Sequence, residues 1–441
     1  MRNKFLGILV LLPVLAFSQT SFAQTSLEIL AQKAVSENAS ESARAINELR
    51  TLGPRGLEML IKVHEKEIRR QVSQPLLPTT PEWQRLSAAL DAVSKQKDSY
   101  LSGLYWHTDF DQAKTAARAA GKPILSLRLL GNLNEEFSCA NSRFFRTILY
   151  SNAAVSRMLR DRFILHWKSV RPAPHITIDF GDGRRLERTV TGNSIHYILD
   201  ADGRPIDALP GLYGPRAFVR GLEEAEEVFQ QLARPGEAHL LKGLSDYHAA
   251  RLKLINLGWL ADIESSGGKI PENFKVIRSR DGLPTAIEIA PLAITKMVIE
   301  VPILRSMTTE MLGKVTDEAL WKKIASLHID DARLDERSIG LIQRQTQKAF
   351  MADAAKTKPQ VALKNLVAKL EMHIALDTVR NEYLLHTKLH AWLIADRRRS
   401  DLDRLNERVY AELFLTPASD PWLGLFESST YVALDGGGIV R

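Results

Sequence analysis

The spacing of apolar and polar positions changes twice along this chain. Up to about residue 100, apolar residues recur at helical spacing, beginning with Leu27 and Leu30. From residue 105 to 232, short apolar runs typical of strands alternate with helical stretches, and beyond residue 236 helical spacing returns. We therefore predict an α/β domain over 105–232, between a helical segment over 24–100 and a mostly α-helical domain over 236–441.

The middle region contains enough strand signals to predict its elements in order. Strands are predicted from continuous or alternating apolar residues, and a hairpin is predicted where Ile176, Ile178 and Phe180 alternate before a Gly-Asp-Gly turn. The predicted strands are 124–130, 163–167, 176–180, 186–190, 194–199 and 206–209. Helices are predicted over 108–120, 142–161 and 215–232.

One short stretch of the helical segment resembles a known repeat. Residues 45–57 read as a helix, a Gly53-Pro54 turn and the start of a second helix, which resembles one HEAT-type helical hairpin. A single unit does not predict a repeat array, because such arrays need about three repeats to be stable.

The first 23 residues have the three parts of a secretory signal peptide. Basic residues precede an apolar run over 5–17, and Ser21-Phe22-Ala23 suits the cleavage site. The run is too short for a bilayer, which takes about 20 apolar residues, and no later segment approaches that length without charges. We predict a protein of the bacterial periplasm or a secreted protein, with no transmembrane segment after signal cleavage.

The charge of the chain is mild. Removal of the signal peptide takes away Arg2 and Lys4 and lowers the formal net charge from +7 to +5. The densest basic run, Arg397-Arg398-Arg399, is flanked by aspartates, which is typical of a solvated helix end. No nucleic-acid partner is predicted.

Cys139 is the only cysteine of the chain. Exported proteins normally pair their cysteines, so a lone thiol is either a buried apolar residue or a reactive group with an external thiol partner. No disulfide can form within the chain.

The motifs of the middle region carry a family resemblance. Gly121-Lys122-Pro123 before a strand, Cys139-Ala140-Asn141-Ser142 and the turn Asp200-Ala201-Asp202-Gly203 occur in the order found in thioredoxin-like proteins. The fold class implied is α/β, a thioredoxin-like sheet-and-helix domain over 105–232 between the two helical regions. In that family the first cysteine starts a helix, so the resemblance places Cys139 there and Ser142 at the second cysteine position. Ser194 takes the place of the family's cis-proline, and a trans peptide is expected there.

Two functions remain open from these residues. A helix start favours a thiolate, which would let Cys139 act in monothiol exchange or peroxide sensing with an external thiol. Alternatively, the domain has lost redox chemistry and is a rigid platform, with the helical segments binding another protein. The second is our preferred prediction, because Ser142 and Ser194 each replace a group that the chemistry uses.

A second candidate site lies on the predicted long helix of the C-terminal region. Glu382, His386 and His390 follow at four-residue spacing and share one helix face. Two imidazoles and a carboxylate can bind a transition metal, but a His-Glu-x-x-His motif is missing and Leu385 and Leu389 mark the neighbouring face as core. An interface or capping role is therefore the interpretation adopted, and no metal or other cofactor is predicted.

Overall fold

The computed structural model describes residues 25–189, 192–232, 237–269, 312–352, 358–396 and 401–423. The predicted signal peptide and the basic run at 397–399 lie outside these residues. The described chain is mixed α/β, with many helices around a small mixed sheet, as the sequence predicts at that level. The helices are α1 (25–33), α2 (Ala39–Thr51), α3 (Pro54–Val63), α4 (Glu65–Ser73), α5 (Pro81–Ser94), α6 (Phe110–Ala120), α7 (Ala140–Phe144), α8 (Ala153–Arg162), α9 (Pro215–Leu232), α10 (Glu237–Ser265), α11 (Glu318–Leu327), α12 (Glu336–Ala352), α13 (Pro359–Arg380), α14 (Thr387–Ala395) and α15 (Leu402–Arg408).

Five strands form the main sheet and two form a separate hairpin. The sheet has the order β1-β3-β2-β6-β7, in which β2 and β3 are parallel and β6 and β7 run antiparallel to their neighbours. The hairpin pairs β4 with β5. The strands are β1 (Trp106–His107), β2 (Ile124–Leu130), β3 (Ile164–Arg171), β4 (His175–Asp179), β5 (Arg185–Thr189), β6 (Ile195–Leu199) and β7 (Pro205–Pro210).

Helices α2 to α5 contain the predicted helical hairpin and pack around their own apolar cluster. Leu49 of α2 and Leu57 of α3 are buried together with Trp83 and Leu90 of α5. The second helix of this hairpin does not continue unbroken, because the structure divides it at His64 into α3 and α4. His64 has φ −105° and ψ 17°, outside helical geometry, so the backbone changes direction there.

The helix predicted over 142–161 is interrupted. After α7 the chain makes a π-helical turn at Phe145–Leu149, and α8 begins only after Asn152, whose side chain accepts hydrogen bonds from Ala154 and Val155. Asn152 has an extended backbone, which interrupts the helical run, and its side chain caps the first N–H groups of the next helix. The helix predicted over 108–120 begins at Phe110, because Asp109 is its N-cap and its Oδ1 accepts the Gln112 N–H at 2.8 Å.

The helices beyond residue 236 share an apolar cluster with the sheet. This cluster contains Leu127 of β2, Leu209 of β7, Trp259 of α10 and Val379 of α13. The helix predicted over 357–394 is present as α13 and α14, joined by a π-helical turn at Asn381–His386. The C-terminal helices therefore pack directly on the sheet, while the predicted domain boundaries stay a prediction.

Candidate functional site

Cys139 lies where the sequence predicted, at the start of a helix. It is the N-cap residue of α7 and is fully buried. Its Sγ donates to Ser142 Oγ at 3.4 Å and lies 3.1 Å from Ser194 Oγ. Among the described residues no peptide bond is cis, so the bond before Ser194 is trans, as expected. The structure thus brings the three predicted residues together around one sulfur.

The loop before Cys139 is fixed by a buried arginine. Arg146 is 5 % exposed, and its guanidinium donates to the carbonyl oxygens of Leu133, Glu135 and Glu136. Burial, partly opposed by nearby carboxylates, lowers the pKa of Arg146 from its usual value. A helix arginine at this position would ordinarily be solvated, but here it holds the loop that leads into Cys139.

Two other parts of the chain enclose the sulfur. Thr189, at the base of the β4–β5 hairpin, donates to the carbonyl of Ser138 at 3.0 Å. On the other side, Tyr410 donates to the carbonyl of Asn193 at 3.0 Å, directly before Ser194. Burial, with a smaller contribution from the nearby Cys139 sulfur, raises the pKa of Tyr410 well above its usual value. The chain segment after α15 therefore covers the Cys139 side of the sheet.

A second group of polar side chains meets between β7, α10 and the α13–α14 junction. Asp207 of β7 is 2 % exposed, and its Oδ1 lies 3.1 Å from His386 Nε2 and 4.0 Å from His390 Nδ1. The opposite ring nitrogen of His386, Nδ1, lies 3.0 Å from Glu382 Oε2. Tyr247 of α10 donates its hydroxyl to Asp207 Oδ2. Three titratable side chains thus converge in the interior, and two more orient them.

Local sequence explains how the two histidines reach Asp207. His386 is the last residue of the π-helical turn and His390 lies one turn further along α14, so their rings stack with centroids 4.1 Å apart. A π-helical turn inserts an extra residue and turns the following side chains to a new direction. Both rings consequently point into the protein, with exposures of 1 % and 0 %.

The electrostatics of this group are dominated by burial and by close opposite charges. Burial alone would lower the pKa of His386, but the carboxylates of Glu382 and Asp207 raise it to about 9. Burial would raise the pKa of Asp207, yet the neighbouring His390 and His386 hold it well below its usual range. Burial and then the charge of His386 lower the pKa of His390 well below its usual value.

A cavity of about 210 Å³ opens beside this group and has His386 in its wall. Charged pairs line it: Arg251 binds Glu224 at 2.9 Å and Glu382 at 3.3 Å, and Arg220 binds Asp331 at 2.7 Å. Apolar walls are provided by Leu209, Tyr213, Leu254, Ile255, Val379 and Tyr383. The guanidinium groups of Arg220 and Arg251 are thus paired with carboxylates within the chain, although Arg251 Nε itself has no hydrogen-bond partner.

The sequence predicted only part of this second site. It placed Glu382, His386 and His390 on one helix face. In the structure Glu382 contacts His386 Nδ1, the ring nitrogen that faces away from Asp207, and is therefore not a third ligand between the two imidazoles. Asp207, which was not among the predicted site residues, takes that place. A signal existed, because Asp207 lies between Ile206 and Ala208 in a strand that is buried along its whole length. An aspartate in such a strand needs a partner.

His196 of β6 is a core histidine. Its Nε2 lies 2.6 Å from the Tyr150 hydroxyl, and burial lowers the pKa of its ring to about 3, so the ring is neutral. No role beyond packing follows from its position.

Comparison of the chain with protein-family models, with curated proteins and with solved structures finds no match. Within the described residues, every helix is too short or too polar to cross a bilayer.

Proposed function

We propose that this chain is an exported protein-binding platform built on a thioredoxin-like domain, in which Cys139 is structural. The complete burial of the Cys139 sulfur carries this proposal. Thiol exchange needs a sulfur that an external disulfide can reach in line. Here the sulfur contacts Ser142 and Ser194 and lies under two other parts of the chain.

The strand order supports the thioredoxin-like part of the proposal. The run β3-β2-β6-β7, with β2 and β3 parallel and the other two antiparallel, is the arrangement that the resemblance implies. The cysteine motif follows β2 and starts a helix, also as implied. Export rests on the leader at 1–23, which lies outside the described residues.

The β4–β5 hairpin offers the surface for a partner. Ile176, Ile178 and Phe180 lie on one face of β4 and are 41 %, 45 % and 55 % exposed. Two contacts attach the hairpin beside the Cys139 loop: the hydrogen bond from Thr189 to the Ser138 carbonyl and the ring contact between Phe137 and His175. A row of three exposed apolar side chains on one strand face is typical of an interaction surface.

The charges beside this row indicate the chemistry of the partner. Arg188 lies directly opposite Ile176 across the hairpin. The Arg184 guanidinium lies 5.3 Å from the centre of the Phe180 ring and also pairs with Asp182 at 2.7 Å, which leaves Arg188 as the stronger attraction. Cross-strand neighbours project on the same face. The surface therefore fits a protein segment that carries both apolar side chains and carboxylates.

Site-specific photo-crosslinking tests the platform. A benzophenone side chain at Ile178 should capture one protein in the native cells, whereas the same group at Thr177, on the opposite hairpin face, should capture little. Arg184→Glu combined with Arg188→Glu should reduce the yield at position 178 at least about tenfold, because two attractive charges become repulsive. Equal yields at the two positions, or crosslinks only within or between copies of this chain, would contradict the proposal.

The alternative function is monothiol exchange at Cys139, which the helix-start position favours. It requires the covering segments to open rapidly. Labelling of the native protein with a disulfide reagent distinguishes the two functions, because exchange chemistry predicts complete reaction within seconds and the platform predicts reaction only on the time scale of local opening.

A further inference from the structure

We propose that Asp207, His386 and His390 form a binding site for a divalent transition metal of the zinc type, which joins the sheet to the C-terminal helices. One carboxylate oxygen and one ring nitrogen from each histidine lie within 4.8 Å of one another, and all three residues are buried. This site is independent of the proposed platform, because none of these residues contacts Cys139 or the hairpin in the hydrogen bonds and ion pairs described above.

The distances fit a small tetrahedral ion. Ligands that bind zinc at about 2.0–2.1 Å lie about 3.3 Å from one another. Asp207 Oδ1 lies 3.1 Å from His386 Nε2 and 4.0 Å from His390 Nδ1. A metal between them would require His390 Nδ1 to move closer to Asp207 Oδ1 by about 0.7 Å, while the His386 contact is already at ligand spacing.

A third histidine contacts only His390 among these three residues. His248 of α10 is fully buried, and its Nδ1 lies 2.8 Å from His390 Nδ1. Its ligand atoms do not belong to the mutually close group, so His248 orients the His390 ring and is not counted as a ligand. The donors are therefore two imidazoles and one carboxylate, a set that zinc and its first-row neighbours accept and that Mg²⁺ and Ca²⁺, which take oxygen ligands, do not.

The outer contacts match those of known metal ligands. A metal-bound histidine usually donates its second ring nitrogen to a carboxylate, and Glu382 Oε2 lies 3.0 Å from His386 Nδ1. The free oxygen of the metal-bound carboxylate is usually hydrogen-bonded as well, and Tyr247 donates to Asp207 Oδ2. The positive charge of Arg251 acts on His390, but Glu224 and Glu382 pair with Arg251.

The position of the site indicates a structural role. The ligands come from β7, from the π-helical turn before α14 and from α14 itself, and their side chains are at most 2 % exposed. Closed sites of this kind stabilise the fold, whereas catalytic sites keep one position open to solvent or substrate. A bound ion would therefore fix the helices against the sheet and raise the stability of the whole chain.

Metal binding by the full chain tests the inference directly. After dialysis against EDTA, the protein is incubated with Zn²⁺ or Mg²⁺, passed through a desalting column and measured for metal content and thermal unfolding. We expect one Zn²⁺ per chain and a higher unfolding temperature with Zn²⁺ only. Co²⁺ should give the intense visible bands of a tetrahedral site. Wild-type protein that retains no stoichiometric Zn²⁺ and gives no such Co²⁺ spectrum would overturn the proposal.

Substitutions of the proposed ligands test where the metal ion binds. Asp207→Asn and His390→Ala should each weaken Zn²⁺ binding more than about 100-fold, and Glu382→Gln about 10- to 100-fold. His373→Ala is the matched control, because His373 is an exposed histidine on α13, and it should retain full binding. If His390→Ala does not fold, the nearly isosteric Asp207→Asn variant and the wild-type Co²⁺ spectrum decide. Unchanged binding in Asp207→Asn would show that the metal lies elsewhere.

Discussion

His328 shows how one side chain can make the stability of this protein depend on pH. Its Nε2 lies 2.7 Å from Asp262 Oδ2, and its Nδ1 lies 3.8 Å from Asp331 Oδ2. Hydrogen bonds to these two carboxylates raise the pKa of His328 to about 9, although burial opposes them. Tyr383 also donates to Asp262, and Arg220 binds Asp331, so both carboxylates are held in place. The folded protein therefore binds the His328 proton more tightly than the unfolded chain does.

This difference predicts a loss of stability at alkaline pH. A raised histidine pKa gives stability that is complete below about pH 6.5 and is lost as the pH rises to about 9. After allowance for partial exposure, we expect the loss to be about 2 kcal/mol. The measurement is urea unfolding of wild-type and His328→Gln proteins between pH 6 and 9.5. Subtracting the two curves cancels the other titrating groups, so a constant difference across that range would refute the prediction.

Single residues also show how far the second site could be predicted. The four-residue spacing of Glu382, His386 and His390 correctly predicted a shared helix face. It could not show that Asp207, far away in sequence, lies opposite that face, because the pairing depends on how β7 packs against the helix. Spacing also could not reveal the π-helical turn. That turn places Glu382 against His386 Nδ1, the ring nitrogen that does not face Asp207. Local periodicity predicts faces of elements, and the packing of elements decides which faces meet.

Helices α2 and α3 approach so closely that only glycine fits at one position. A Cβ on Gly56 would lie 2.0 Å from the carbonyl oxygen of Leu49, a distance at which the backbone must move. In α12, by contrast, a Cβ on Gly340 would lie 3.7 Å from the Pro75 ring, which is an ordinary contact. Packing therefore requires the first glycine, whereas neither packing nor backbone geometry requires the second.

Opposite effects on stability are expected when each glycine is replaced by alanine. Gly56→Ala should lower the free energy of unfolding by at least about 2 kcal/mol, because overpacking separates the two helices. Gly340→Ala should raise it by about 0.5–1 kcal/mol, since alanine favours the helix and restricts the unfolded chain. Denaturant unfolding measures both. A neutral or stabilising Gly56→Ala would show that the α2–α3 contact tolerates a methyl group.

Elements with a simple pattern were predicted better than elements that change direction. Helix α9 was predicted with both ends correct, and the hairpin and β7 to within one or two residues, because apolar alternation and Gly-rich turns mark them. The helix over 142–161 was predicted as continuous, since its apolar spacing hardly changes where Asn152 begins a new helix. The two-residue strand β1 was not predicted, because so short a strand carries no period and depends on pairing with β3.

Over the whole molecule, one arginine attaches the end of the described chain to the Cys139 side of the sheet. Arg171, the last residue of β3, donates to the carbonyl oxygens of Thr416, Pro417 and Asp420 at 2.6, 3.2 and 3.3 Å. The segment that it holds includes Tyr410, which donates to the backbone beside Ser194. Access to the sulfur therefore depends on contacts made between parts of the chain about 250 residues apart in sequence.

Removal of this arginine should expose Cys139 without unfolding the protein. Arg171→Ala deletes three hydrogen bonds from a charged donor, a loss of at least about 1.5 kcal/mol, which would raise the population of the locally open state more than about tenfold. The rate of Cys139 labelling by a disulfide reagent should rise by the same factor. Arg185→Ala is the control, because Arg185 pairs with Asp179 within the hairpin, and it should label like wild type. If Cys139 of Arg171→Ala is labelled no faster than in wild type, the segment after α15 does not limit access to the sulfur. Fast labelling of Cys139 in the wild-type protein would instead support the exchange function.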